Sequence, residues 1–323
     1  MTTLRQIAKE AGVHVATASA VLNAASGNTR VGEETRRKVL EVARQLSYVP
    51  NESARRLRTG RSNVVGFLGG DLRNPFFSEL AAALEAELAP RNLQLMVSHV
   101  AHSEPARVQD AIKRLQQQGA SGIVFWEESA SSVLSAEMAS DRILSIGFTA
   151  TERPGVWLDL ESAIQVTIRE MTRRGFLRLG FFLPRSQVES PSVAARSSAF
   201  LSLCKKQKLA RPVLAYYEGE SWDLAAAAEG GEKAWKAHPG VDAWVGFNDV
   251  AGLGLLSNPP RRAHSRVLCF DGTAMARCWP GRPPCLDLKI TALAKRVAAV
   301  LAKEQSAAIS GRRKNWILPT LGD

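Results

Sequence analysis

The chain has 323 residues, 45% hydrophobic and 23% charged, with a formal net charge of +11. That length exceeds one simple core and fits a small head on a two-lobed body, while no apolar run of about twenty residues marks a membrane-spanning helix. The charge is uneven: residues 1–61 hold 11 Lys or Arg against 5 Asp or Glu, and the rest holds 31 against 26. A net +6 in about a fifth of the chain suits neutralisation of nucleic-acid phosphates, which release bound counterions when covered.

In chain order, Thr3-Leu4-Arg5-Gln6 reads as a capping box, and the spacing of Leu4, Ile7, Ala8 and Ala11 predicts a helix that Gly12 closes in a left-handed conformation. A second helix is expected over residues 15–23, with Ala18, Val21 and Leu22 inward and Ala16, Thr17, Ser19, Ala20 and Asn23 outward. Two helices so closely joined suggest a helix-turn-helix. A third, over residues 33–47, is expected to pack Val39, Leu40, Ala43 and Leu46 behind the pair until Pro50 forces a break. Asn51 can then cap a short helix over residues 52–58, in which Arg55, Arg56 and Arg58 surround Leu57 and which stops at Thr59-Gly60.

From Asn63 onward, apolar runs alternate with amphipathic stretches, the pattern of parallel strands with crossover helices. Strands are expected at residues 64–68, 93–98, 122–126 and 143–147, and helices at 77–89, 106–118 and 131–140. A second round is expected to begin with a strand at 156–159 and run through 267–270, after which a helix at 291–303 returns to the first lobe and 316–318 adds a last strand. Two such rounds imply two lobes with a ligand cleft at the carboxyl ends of their strands. Cys204, Cys269, Cys278 and Cys285 show no CxxC or His spacing suited to zinc, so reduced thiols, no metal site and no cofactor are expected.

The segments TLRQIAKEAGV, TASAVLN, VGEETRRKVLEVARQLSYVPN and ARRLRTGRSNVVGFL, with NPFF at Asn74 to Phe77, resemble the LacI family of bacterial transcription regulators. The likeness is close over the head and hinge and looser beyond, where the chain resembles the ligand-binding core that the family shares with periplasmic sugar-binding proteins. It implies an α/β protein: an all-α helix-turn-helix DNA-binding head (1–49), a hinge (50–62), and a two-lobed, doubly wound, periplasmic-binding-protein-like core (63–323) whose chain crosses between lobes near 150–160 and 285–290. It further implies a cytoplasmic, nucleoid-associated homodimer, a repressor of a pseudo-palindromic double-stranded operator. No membrane partner is expected, since the first residues read as a capped polar helix and not a secretory leader.

By that resemblance the DNA contacts fall on Thr3, His14, Val15, Ala16, Thr17, Ser19, Ala20 and Asn23, then on Asn51, Ala54, Arg56, Leu57 and Arg58 in the hinge. Val15, Ala16 and Ala20 reach base edges, where they can touch thymine methyl groups but make no bidentate hydrogen bond; alternatively Val15 or Ala16 merely packs. His14 replaces the usual serine cap and either touches a phosphate or faces solvent. Leu57 wedges into a central base step from the minor groove, or else lies on the apolar face of an ordinary linker helix.

The same resemblance places a small-molecule effector, a sugar or sugar derivative, or alternatively a purine or nucleoside, against Phe76, Phe77, Glu127, Glu128, Phe148, Ser192, Arg196, Trp222, Asn248 and Asp271. Arg196 would grip an oxygen-rich group, Trp222 would stack, and Asn248 and Asp271 would bond hydroxyls. For Phe76 and Trp222 the alternative is core, and for Asp159 and Asp249 it is capping of the next helix. Gly147-Phe148 stands where the family often has Asp or Asn, so a ligand acceptor is missing there. A sugar-binding enzyme or transport receptor is the rival class, but the chain has no GxxxxGK[ST], GxSxG or HExxH motif.

Overall fold

The computed structural model describes residues 2–22, 31–49, 62–100, 105–126, 143–148, 154–187, 190–260, 263–303 and 316–322. The chain divides into two compact units, Met1–Ser62 and Asn63–Asp323. In the first, α1 (Leu4–Ala11) opens on the capping box: Thr3 Oγ1 accepts from the Gln6 amide at 3.3 Å and Gln6 Oε1 from the Thr3 amide at 2.7 Å. Gly12 at φ 65° closes it. With α2 (Val15–Leu22) and α3 (Glu33–Gln45), it buries Ile7, Ala8, Ala11, Ala18, Val21, Val39 and Ala43.

Two expected core residues lie outside this cluster: Leu40 is 46% exposed and Leu46 37%. Val39, Val42 and Ala43 share the inner face of α3, and Leu40 stands one residue, about 100°, around the helix from Val39. The helix also ends earlier than expected, because Ser47 turns left-handed (φ 48°) and the Tyr48 amide donates back to the Ala43 carbonyl at 2.9 Å. Asn23 and the hinge residues Asn51, Ala54, Arg56, Leu57 and Arg58 lie outside the described residues.

The second unit holds two six-stranded sheets among the described residues. The first comprises β1 (Val64–Gly69), β2 (Gln94–His99), β3 (Ala120–Trp126), β4 (Ile143–Gly147), β5 (Gly155–Leu158) and β11 (Trp316–Ile317), in the order β11-β5-β4-β3-β1-β2. Its helices are α4 (Pro75–Leu88) and α5 (Pro105–Gln117). The helix expected over 131–140 lies outside the described residues.

Then come α6 (Leu160–Arg173), β6 (Leu179–Pro184), α7 (Pro191–Lys206), β7 (Val213–Tyr217), α8 (Leu224–Ala237), β8 (Ala243–Gly246), α9 (Asp249–Ser257), β9 (Val267–Asp271), the short α10 (Ala274–Arg277), β10 (Cys285–Asp287), α11 (Ile290–Lys303) and β12 (Thr320–Leu321). The second sheet runs β12-β10-β9-β8-β6-β7, parallel except where β12 meets β10.

The strand expected to start the second round belongs to the first sheet: β5 pairs parallel with β4, so the chain leaves the first lobe only at Asp159. Asp159 caps α6 by accepting from the Ser162 amide at 2.9 Å. After β10, α11 returns to pack along α4, and the chain crosses once more between β11 and β12. That last crossing has no signal in a two-residue strand.

Glycines set the closest helix crossing. A Cβ on Gly254 of α9 would lie 2.5 Å from the Ala227 carbonyl carbon of α8, and one on Gly231 would lie 2.8 Å from the Gly254 carbonyl oxygen. The obstacles are backbone, so they cannot rotate away. On α6, Glu170 is buried and accepts from Arg173 at 2.8 and 2.9 Å and from Arg174 at 2.6 Å, which holds its carboxyl down at about 2.

In an open helix, Gly to Ala stabilises by up to about 1 kcal/mol. Here Gly254→Ala reverses that sign and lowers the unfolding free energy by about 1–3 kcal/mol in urea titration. Because the folded-state pKa of Glu170 is depressed, its contribution is complete above about 4.5 and is lost as pH falls toward about 2. Glu170→Gln therefore costs about 1.5 kcal/mol at pH 7 and flattens the acid limb of stability against pH.

Candidate functional site

On the head, α2 presents the residues expected to face DNA. Ala16 and His14 are exposed, Thr17, Ser19 and Ala20 half-buried, and Val15 is half-buried with its side chain packed against the head core. Packing thus occupies part of the Val15 side chain. His14 differs from expectation more sharply: Nδ1 accepts from the Ala16 amide at 3.3 Å, so the ring does cap α2. An accepting Nδ1 requires the proton on Nε2, which leaves an N–H donor on the outer edge of the ring. Thr3 is exposed, and its hydroxyl serves the capping box.

In the second unit, strand ends bring aromatic side chains together on the first lobe. Asn74 caps α4 by accepting from the Phe76 amide at 3.1 Å, with Pro75 at the first helical position. This turn places Phe76 and Phe77 beside Trp126, the last residue of β3, with centroids 5.1 and 5.5 Å from it and edge-to-face geometry. Phe148 joins Trp126 at 5.7 Å. Gly70 makes room for the cluster, since a Cβ there would meet the Phe77 ring at 2.2 Å.

Across from it, Arg196 on α7 is 5% exposed, and its guanidinium sits 4.4 to 4.9 Å from the ring centroids of Phe148, Phe247 and Phe270. It donates to the Phe247 carbonyl and lies 4.0 Å from Asp271, at the end of β9. Asp271 is held well above the ordinary carboxylate range by burial and by Asp249, while Arg196 pulls it down. Asn248 caps α9, accepting from the Ala251 amide and donating to the Ser221 carbonyl, both at 2.8 Å. Of the amide's two N–H donors one is therefore spent.

Trp222 is half-buried in the loop before α8, its buried Nε1 without a hydrogen-bond partner among the described residues. Arg73 of the first lobe stacks on it at 3.6 Å, anchored by Asp71. The carboxyl of Asp71 is lowered by that bond.

The structure thus brings together Phe76, Phe77 and Phe148 on one side and Arg196, Asn248 and Asp271 on the other. Glu127, Glu128 and the side chain of Ser192 lie outside what is described. Asp249 is not the cap of α9. It sits one residue further on, and its carboxylate accepts from the Thr273 amide at 2.6 Å and the Thr273 hydroxyl at 2.7 Å. Burial pushes it up to about 6 against those bonds. Arg73, Trp126 and Asp71 were not anticipated. Trp126 was within reach, because it ends a strand whose neighbours Phe76 and Phe148 were singled out.

The family described as "Bacterial regulatory proteins, lacI family" matches residues 3–51, and "Periplasmic binding proteins and sugar binding domain of LacI family" matches residues 62–267. The chain belongs to the LacI family. It is a DNA-binding transcriptional regulator with a sugar-binding type of effector domain, and not an enzyme. It is 27% identical to the ribose operon repressor of Bacillus subtilis (strain 168) over 81% of this chain and 77% of that one. Likeness to the regulator GalS of Salmonella typhimurium is 25% over 99% of this chain and 95% of the relative. Among solved structures, a Lac repressor bound to ONPG in the repressed state shares the fold at a TM-score of 0.83 and 20% identity, covering 100% of this chain and 98% of the other.

For this LacI-family regulator, Arg196→Met leaves Asp271 buried beside Asp249 with no cation at 4.0 Å. The single change lowers unfolding free energy by about 3–5 kcal/mol, and adding Asp271→Asn restores more than about 1 kcal/mol of it. Strict additivity in denaturant titrations of the four proteins would show that the two charges do not interact.

Proposed function

We propose that this regulator is a cytoplasmic, nucleoid-associated repressor that binds a pseudo-palindromic operator as a homodimer, and that a sugar or sugar derivative between the two lobes sets its operator affinity. Residues 1–49 are the reading head, 50–62 the hinge and 63–323 the effector and dimerisation domain. The observation that carries the effector reading is the pairing of buried Arg196 and Asp271 with aromatic rings from both lobes, beside a Trp222 Nε1 that has no partner among the described residues. Sugars need that combination of an apolar face and fixed donors and acceptors. Relatives named as ribose, sucrose and Gal-type regulators favour the same class.

In the head, Ala16, Ala20 and the exposed part of Val15 read thymine methyl groups, while Thr3, Thr17, Ser19, Asn23 and the Nε2–H of His14 hold phosphates. Leu57, flanked by Arg56 and Arg58 with Asn51 and Ala54 before it, wedges into the minor groove as one of a symmetric pair. Phe76, Phe77, Phe148 and Trp222 face the sugar ring; Arg196, Asn248, Asp271, Ser192, Glu127 and Glu128 bond its oxygens. A ligand that prefers one lobe arrangement shifts the population of DNA-competent dimer, with coupling of about 1–3 kcal/mol.

A panel of pentoses, hexosides, sugar acids, nucleosides and purines tested by thermal shift is expected to contain a sugar that adds about 2.7 kcal/mol at a hundred times its dissociation constant, an effect Trp222→Ala abolishes. Retention of the full-length dimer on a two-fold-symmetric duplex should exceed retention on random duplex, weaken with salt, and drop in Leu57→Ala. Equal retention on both duplexes with and without the sugar would refute the repressor reading.

A further inference from the structure

Beneath the cleft floor, β9 and β10 run parallel with Cys269 directly opposite Cys285. Paired residues on adjacent strands point to the same face, so both thiols project toward α9. The backbone of that helix lies close over them: a Cβ on Gly252 would stand 2.6 Å from Cys269 Sγ. Asp249 opens the same helix. A carboxylate oxygen of Asp249 and the two sulfurs all lie within 4.8 Å of one another, and all three residues are buried.

We propose that Asp249, Cys269 and Cys285 form a buried site for a thiophilic divalent cation of the zinc and cadmium type. Bonds of about 2.3 Å to sulfur and about 2.0 Å to oxygen put donor atoms roughly 3.5–4.5 Å apart around one ion, inside the 4.8 Å that encloses the three donors here. Both cysteines are free thiols in the structure.

As a cation binds, the protons of both thiols leave to solvent. Asp249 Oδ2 is committed to Thr273, whereas among the described residues Oδ1 receives the Gly272 amide alone, at 3.4 Å, and is the oxygen open to a metal. Cys285 also lines a cavity of about 680 Å³ shared with His264 and Asp287. An ion here would tie α9, β9 and β10 together directly below Asp271 and Thr273.

The test uses the full-length protein, reduced, incubated with Zn2+ and desalted. One equivalent per chain is expected by inductively coupled plasma mass spectrometry, and Co2+ in its place should give the near-ultraviolet absorption of cobalt–thiolate bonds. Cys269→Ser and Cys285→Ser should each weaken binding more than about tenfold, a loss that even outer-sphere partners of metal ligands produce. Cys278→Ala, an exposed cysteine at the end of α10, should not. Should a serine variant fail to fold by circular dichroism, the wild type decides: Zn2+ must protect two thiols from alkylation. Absence of bound metal, unchanged binding in the Cys269→Ser/Cys285→Ser protein, or a two-proton mass loss marking a disulfide in place of metal binding would each overturn the proposal.

Discussion

Arg196 carries its charge to a place water scarcely reaches, and the groups around it make that tolerable: three Phe rings, the Phe247 carbonyl and Asp271. Stripping water from a guanidinium costs several kcal/mol, while each desolvated cation–π contact returns up to about 2 kcal/mol. The balance depends on both lobes, because Phe148 comes from the first and Phe247 and Phe270 from the second. Separating the lobes removes one ring and admits water.

Phe148, after β4, takes on meaning in this setting: it presents a negative ring face to the guanidinium and meets Trp126 edge-to-face. A carboxylate there would compete with Asp271 for Arg196 and add to the charges of Asp249 and Asp271. With a ring instead, Asp271 keeps Arg196 without that competition.

What the sequence disclosed follows the range of the interactions involved. The capping box at Thr3, the turn at Gly12 and the Asp159 cap are contacts between residues two to four apart, and their residue types state them outright. Asp271 could be singled out because it ends a strand, and strand ends in an α/β sheet are where clefts form, whereas Arg196 lies within α7 and only the family resemblance pointed to it. Leu40 was misjudged since helical period alone does not say how wide the buried stripe is. The thiol pair was hidden for a different reason: nothing in the spacing of Cys269 and Cys285 shows that two separate short strands will align them in register. His14 was discounted on propensity, yet local geometry let its ring accept the Ala16 amide.

The contacts that span the cleft rim are weak by comparison with its floor, and that difference permits motion. Arg73 stacks on Trp222 with its side chain 61% exposed, a setting in which a cation–π contact contributes about 0.5–1 kcal/mol. Glu79 of α4 accepts from the Ala274 amide at 2.8 Å, a bond that is also exposed to solvent. Glu79 lies on α4 and Arg73 in the turn just before it, and α4 packs along the returning helix α11. Beneath the rim, the glycine-tight crossing of α8 and α9 leaves no such slack, because backbone meets backbone there.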